Sequence, residues 1–68
     1  MRVYWELEGN MYKGDNITIA AGTKTHCKKV YSKMTDEQKQ KYYFISLQPY
    51  DDCERLDFDE TLYINKNI

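Results

Sequence analysis

Few side chains in this 68-residue sequence are of the types that usually carry out chemistry: one histidine and two cysteines. His26 and Cys27 are neighbours, and neighbouring side chains on a helix point about 100° apart, so they cannot form the hydrogen-bonded pair of a thiol nucleophile. A structural zinc ion needs four ligands, and Cys53 lies too far along the chain to form a C-x-x-C pair with Cys27. We therefore predict core or surface roles for all three residues, with no bound metal and no cofactor.

Enzyme motifs are also missing from the sequence. It contains neither a glycine-rich phosphate loop nor a nucleophile elbow. A domain this short has little room for a ligand pocket of about 300 Å³ or more. We therefore expect a protein that binds and does not catalyse.

Charge is distributed unevenly along the chain, although the net charge is only −1. Residues 13–41 contain seven lysines and three acids, whereas residues 48–62 contain six acids and one arginine. Such asymmetry can steer a partner or join two copies head to tail, and it can equally be solvated surface. Two partner-binding faces are predicted. The basic and aromatic face comprises Lys24, Lys28, Lys29, Lys33 and Tyr42, and the acidic face comprises Tyr50, Asp51, Asp52, Glu54, Asp57, Asp59 and Glu60.

Tyrosine is the most unusual feature of the composition. Seven tyrosines exceed what so small a core can hide, so several rings must reach the surface, where they suit protein interfaces and base stacking. We expect a small protein-binding regulator or inhibitor. The alternative is a small nucleic-acid-binding protein that uses a lysine and tyrosine surface, although a pI of about 5.7 and only two arginines argue against it.

Composition also suggests a source and a compartment. A lysine-rich, leucine-poor chain is typical of short reading frames in A+T-rich genomes such as those of many bacteriophages, so the expected partner is a host protein. The sequence has no apolar run of signal-peptide or membrane-span length, which predicts a cytoplasmic protein, in the host cytoplasm if phage-encoded, with both thiols free. Because so short a domain has a thin stability margin and its charged segments are complementary, we also expect a homodimer.

Hydrophobic periodicity predicts the elements in the first half of the chain. Alternation in residues 3–7 predicts a first strand, and residues 17–19 predict a second strand antiparallel to it. Cys27, Val30, Tyr31 and Met34 form one stripe of a helix over about residues 24–34, opposite the lysines. The threonine-rich start of that segment leaves a strand as the alternative.

The second half is predicted to hold a short helix and two strands. Thr35 to Gln38 has the pattern of a capping box, which begins a second helix. Residues 42–47 predict a central third strand that stops at Gln48-Pro49, and residues 61–64 predict a last strand.

One α+β domain, residues 1–68, follows from these elements. It is an antiparallel sheet of three to four strands with one or two short helices packed on one face, and a small β-barrel is the alternative. The predicted core comprises Val3, Trp5, Leu7, Ile17, Ile19, Val30, Met34, Phe44, Ile45, Leu47, Leu56, Phe58 and Leu62.

Overall fold

The computed structural model describes residues 3–11, 14–52 and 54–66. In chain order the elements are β1 (Val3–Asn10), β2 (Asn16–Gly22), α1 (Lys24–Ser32), α2 (Asp36–Lys39), β3 (Phe44–Asp51), β4 (Glu54–Arg55) and β5 (Glu60–Ile64). The strands form one antiparallel sheet in the order β2-β1-β3-β4. Both β4 and β5 pair with β3, on the side of β3 that faces away from β1. The sheet is open, so the predicted α+β class is confirmed and the barrel alternative is wrong.

Both helices begin at threonine caps. The Thr23 hydroxyl accepts from the His26 N–H at the start of α1. This segment is therefore a helix, and the strand that the sequence left as the alternative does not form. At Thr35 the capping box is complete, because its hydroxyl accepts from the Gln38 N–H and the Gln38 side chain accepts from the Thr35 N–H. The chain therefore turns between two short helices, as predicted.

The sheet has one face covered by α1, called here the helix face, and one uncovered face, called the open face. Alternation along β1 and β3 places Leu7, Ile45 and Leu47 on the helix face, where they are fully buried. Cys27 of α1 is buried against them as a free thiol, while Cys53 lies outside the described residues. Burial raises the pKa of the Cys27 thiol, so it packs as a small apolar group.

A β-bulge interrupts the pairing of β2 with β1. Leu7 pairs with Ala20 and Glu8 pairs with Thr18, so Ile19 is the extra residue between them. The bulge lets Ile19 and Ala20 both pack against the core. Ile17, which the sequence placed in the core, is instead 43% exposed at the sheet edge.

Pro49 lies inside β3 and does not end it, so the predicted end of the third strand at Gln48-Pro49 is wrong. Pro49 is fully buried opposite Trp5, and its carbonyl accepts from the Leu56 N–H across the sheet. In an antiparallel strand the N–H and C=O of one residue point to the same neighbour. The N–H that proline lacks would therefore face residues 56–59, which connect β4 to β5 and belong to neither strand. No strand pairing is lost at this position.

The predicted core is wrong at five positions. Leu56 is half-buried and is not among the residues that pack against the core. Val3 and Phe58 are 48% and 59% exposed, and Ile17 is exposed at the edge. Phe44 pairs with Asn10 and so lies on the open face. Three tyrosines contribute to the core instead, because Tyr31, Tyr42 and Tyr63 are partly buried and pack against it.

Candidate protein-binding site

Strand β2 is an unprotected edge of the sheet. Its seven residues, Asn16–Gly22, contain no charge and no proline, which are the usual devices that keep an edge from pairing. Among the described strands, only β1 pairs with it. One side of β2 therefore presents backbone groups that no other described strand occupies.

Hydrogen bonding on the far side of β1 shows which peptide groups of β2 point outward. The Asn10 carbonyl accepts from the Tyr43 N–H, so the Asn10 peptide groups face β3. Alternation then turns Gly9 and Leu7 toward their β2 partners, Ile17 and Ala20. The next residue after each of these partners, Thr18 and Ala21, has its N–H and C=O directed away from the sheet.

A groove of about 360 Å³ lies between Ile19 of this edge strand and the two helices. Its apolar surface comes from Ile19, Val30, Met34 and the ring of Tyr42, and its polar surface comes from Lys33, Gln38 and Lys41. The expectation that so short a domain has little room for such a pocket is therefore wrong, because this volume lies within the range of about 300 to 1,000 Å³ that is usual for ligand clefts. An apolar side chain flanked by an acidic group would match this lining.

Gly9 fixes the position of the Tyr42 ring in the groove. The ring packs against Gly9, where a Cβ atom would lie 2.5 Å from Tyr42 Cε1 and 2.9 Å from Cγ. Only a residue without a side chain allows this approach. The aromatic surface of the groove is therefore built from the backbone of β1.

The lysines of the predicted basic face fall into two groups. Lys24 and Lys28 lie 3.5 Å and 3.9 Å from the Glu60 carboxylate, and Lys24 also lies 4.8 Å from the centre of the Trp5 ring. Lys33 borders the groove beside Tyr42, and Lys29 is exposed on α1. In the described parts of the chain, Lys29, Lys33 and Lys41 make no ion pair. The structure thus brings Lys33 and Tyr42 together at the groove, and Lys24 and Lys28 together beside Glu60.

The predicted acidic face is dispersed over the molecule. Asp51, Asp52 and Glu54 belong to the hairpin between β3 and β4, where Asp52 has a positive φ of 48°. Asp57 is exposed in the segment before β5, and Asp59 lines a second cavity beside Tyr43 and Phe44. Glu60 meets the lysines of α1, and Tyr50 lies on the open face. These residues therefore form several small surfaces and not one patch.

The open face carries a polar network that the sequence did not reveal. Gln48 is 3% exposed, donates to the Ser46 hydroxyl and accepts from Arg55 Nε at 2.7 Å. The Tyr50 hydroxyl donates to the Glu8 carboxylate, which raises the pKa of Tyr50 to about 12. Burial raises the pKa of Glu8 despite that hydrogen bond. Because these groups satisfy one another, this face is organised mainly by its internal contacts.

Sequence reasoning missed Lys41 and the edge strand as functional candidates. Ile19, Val30 and Met34 were recognised, but only as core positions. The absence of charge in residues 16–22 was the available signal, because an edge strand without charges is open to pairing. The signal became meaningful only when the sheet order placed β2 at the edge.

Metal binding and membrane spanning each require a particular arrangement of the described residues. No three His, Cys, Asp or Glu side chains among them lie close enough to hold a metal ion, and none of their helices is long and apolar enough to cross a membrane. His26 is exposed while Cys27 is buried, in agreement with the expectation that the two side chains point apart. Comparison of the chain with protein-family models, with curated proteins and with solved structures found no match.

Proposed function

We propose that this protein is a small regulator or inhibitor that binds another protein through the groove and the adjoining edge of β2. The observation that carries the proposal is the junction of an uncharged edge strand with an apolar groove bordered by two lysines without ion pairs in the described chain. Edge strands and apolar grooves are both recurrent recognition surfaces for polypeptides. A domain of this size acts by occupying a surface of its partner.

Charge favours a partner with an acidic segment. Lys33 and Lys41 border the groove on its helix side, where an acidic group of the partner would be attracted to both. Lys24 and Lys28 differ, because they already lie beside the Glu60 carboxylate. The bacteriophage origin, a host protein as the partner and a cytoplasmic location stay predictions from composition.

The nucleic-acid alternative has less support. Of the aromatic residues near the lysines of α1, Tyr31 donates its hydroxyl to the Leu62 carbonyl and lies under Lys39, and Tyr42 packs on Gly9. Both rings are half-buried, so neither offers the exposed aromatic surface on which bases stack. Tyr43 is 44% exposed but lies next to the acidic Asp59 at the second cavity.

A matched pair of baits tests the proposal. The groove variant carries Lys33→Glu and Lys41→Glu, and the control carries Lys29→Glu and Lys66→Glu, which change the net charge equally at exposed lysines outside the groove. In quantitative cross-linking from the source cell, we expect the wild type and the control to capture a common protein that the groove variant loses. Equal capture by both variants would contradict the proposal.

Titration with generic duplex DNA and single-stranded RNA tests the alternative on the same proteins. We expect no saturable binding. Saturable binding that weakens steeply as salt rises would instead favour the nucleic-acid function, because phosphate contacts release counterions.

A further inference from the structure

The geometry of β2 specifies how the proposed partner would bind. The outward N–H and C=O groups of Thr18 and Ala21 bracket Ile19, whose side chain forms part of the groove. A strand laid along this edge would therefore have its backbone beside Thr18 and its side chains beside the groove. No other described surface offers both features together.

We infer that the partner contributes an extended segment that adds a strand to the edge of β2, with an apolar side chain in the groove and an acidic side chain near Lys33 and Lys41. This inference rests on the proposed function and names the chemistry of its partner. Main-chain hydrogen bonds supply affinity in such strand addition, and pockets for alternate side chains supply specificity.

Strand geometry sets the spacing of the partner's side chains. Every second side chain of an added strand lies on the helix face, and these are about 6.6 Å apart. The groove is lined by apolar side chains and by two lysine ammonium groups, so it accepts both kinds of residue from the same face. The recognised segment thus has an apolar residue and an acidic residue two positions apart.

A second copy of this chain fits the edge less well. Because α1 packs over β1 and β2, a two-fold pairing of two β2 strands would place two α1 helices side by side on one face. Lys29 and Lys33, which lie on the side of each helix away from Glu60, would then meet like charges. The homodimer expected from the sequence would have to use another surface.

Selection from displayed heptapeptides with every position randomised identifies the chemistry without assuming it. We expect enrichment of segments that carry an apolar and an acidic residue two positions apart, with affinity reduced at least tenfold by the Lys33→Glu, Lys41→Glu variant. Enrichment of basic segments, or no enrichment, would overturn the inference. The cross-linking comparison of the two baits would still decide the proposed function independently.

Backbone methylation then separates strand addition from simple side-chain docking. Two versions of the selected peptide are made, one N-methylated at its odd positions and one at its even positions. Because alternate N–H groups of an added strand face β2, one version should lose at least tenfold in affinity while the other binds like the parent peptide. Equal affinity of both versions would refute strand addition, although binding in the groove could stand.

Thr18→Pro makes the same test from the protein side. Proline removes an N–H that faces outward, so the pairing of β2 with β1 is kept, and an edge strand tolerates it. Thr18→Ala is the matched control, since it removes the hydroxyl that donates to Glu6 and keeps the backbone N–H. We expect Thr18→Pro alone to weaken binding of the selected peptide at least tenfold. Equal binding by the two variants would overturn the inference.

Discussion

Gly9→Ala tests whether the groove is built as described. The added Cβ would lie 2.5 Å from Tyr42 Cε1 and 2.9 Å from Cγ, whereas carbon atoms in contact are about 3.5 to 4.0 Å apart, so the ring must move by about 1 Å. Insertion of a methyl group into a packed site of this kind destabilises by about 1 to 3 kcal/mol. For a domain of this size, 2 kcal/mol lowers Tm by roughly 8 to 16 °C.

The companion substitution is Tyr42→Ala, which removes the ring that the added methyl group would strike. Tyr42 is half-buried, so we expect this single change to destabilise by about 2 kcal/mol, less than the roughly 3 to 5 kcal/mol of a fully buried ring. In the double variant the new methyl group enters vacated space. The two effects should therefore be non-additive by about 1 to 2 kcal/mol in the stabilising direction.

Urea unfolding followed by Trp5 fluorescence, with thermal unfolding by circular dichroism, measures all four proteins of this cycle. Surface substitutions usually change the free energy of unfolding by less than about 0.5 kcal/mol. If Gly9→Ala changed it by no more than that, the close approach of Tyr42 to β1 would be refuted. Additive single effects would refute it equally, because they would show that the two sites do not touch.

Four further predictions concern the core, pH, the buried thiol and assembly. Val30→Asp should destabilise by several kcal/mol because it places a charge against the core, whereas Lys28→Ala should change stability by less than about 0.5 kcal/mol; similar urea midpoints would contradict α1 as an amphipathic helix. Burial raises the folded-state pKa of Glu8, so protonation of this carboxyl group favours the folded state. The resulting contribution to the free energy of unfolding is present at acid pH and is lost as pH rises through the raised pKa. The stability of the wild type relative to Glu8→Gln should therefore fall between pH 3 and pH 7, and a rising difference would show the opposite sign. In a Cys53→Ser background, Cys27 should react with a thiol reagent only on unfolding, and without reductant the denatured wild type should take up two labels; rapid labelling of the native protein would place the thiol at the surface. Sedimentation should show the homodimer expected from the sequence, looser at high salt, and a single species of 8.2 kDa at up to roughly 100 µM in low and high salt would exclude it.

Local patterns predicted the elements of this fold well. The capping box at Thr35, the amphipathic stripe of α1 and the alternation in β1 depend on residues close in sequence, and each appears in the structure. The α+β class follows from those elements, whereas the choice between an open sheet and a barrel does not. These features are local, which is why the sequence is sufficient to specify them.

Features that depend on tertiary placement were not predictable. Proline is a strand breaker by local chemistry, yet Pro49 is accommodated because the missing N–H faces the gap between β4 and β5. Similarly, Phe44 and Ile45 are adjacent apolar residues, and only the register with β1 decides which one is buried.

The groove illustrates the same limit for function. Its lining comes from Ile19 of β2, Val30 of α1, Gln38 of α2 and Tyr42 of the following loop, which are separate segments of the chain. Two members, Lys33 and Tyr42, were in the predicted basic set because of charge and aromatic content. Charge alone could not distinguish them from Lys24 and Lys28, whose partner Glu60 arrives from the other end of the sequence.

Amide hydrogen exchange of β2, measured by NMR with and without the selected heptapeptide, tests most directly whether this edge is the binding surface. Addition of a strand should slow exchange of the Thr18 and Ala21 amides by about tenfold, which corresponds to about 1.4 kcal/mol, the upper end of the net worth of one hydrogen bond. The Ile17 and Ala20 amides, which already face β1, should change little. Unchanged exchange at Thr18 and Ala21, with protection appearing instead on the open face around Gln48 and Tyr50, would contradict the binding surface proposed for this protein.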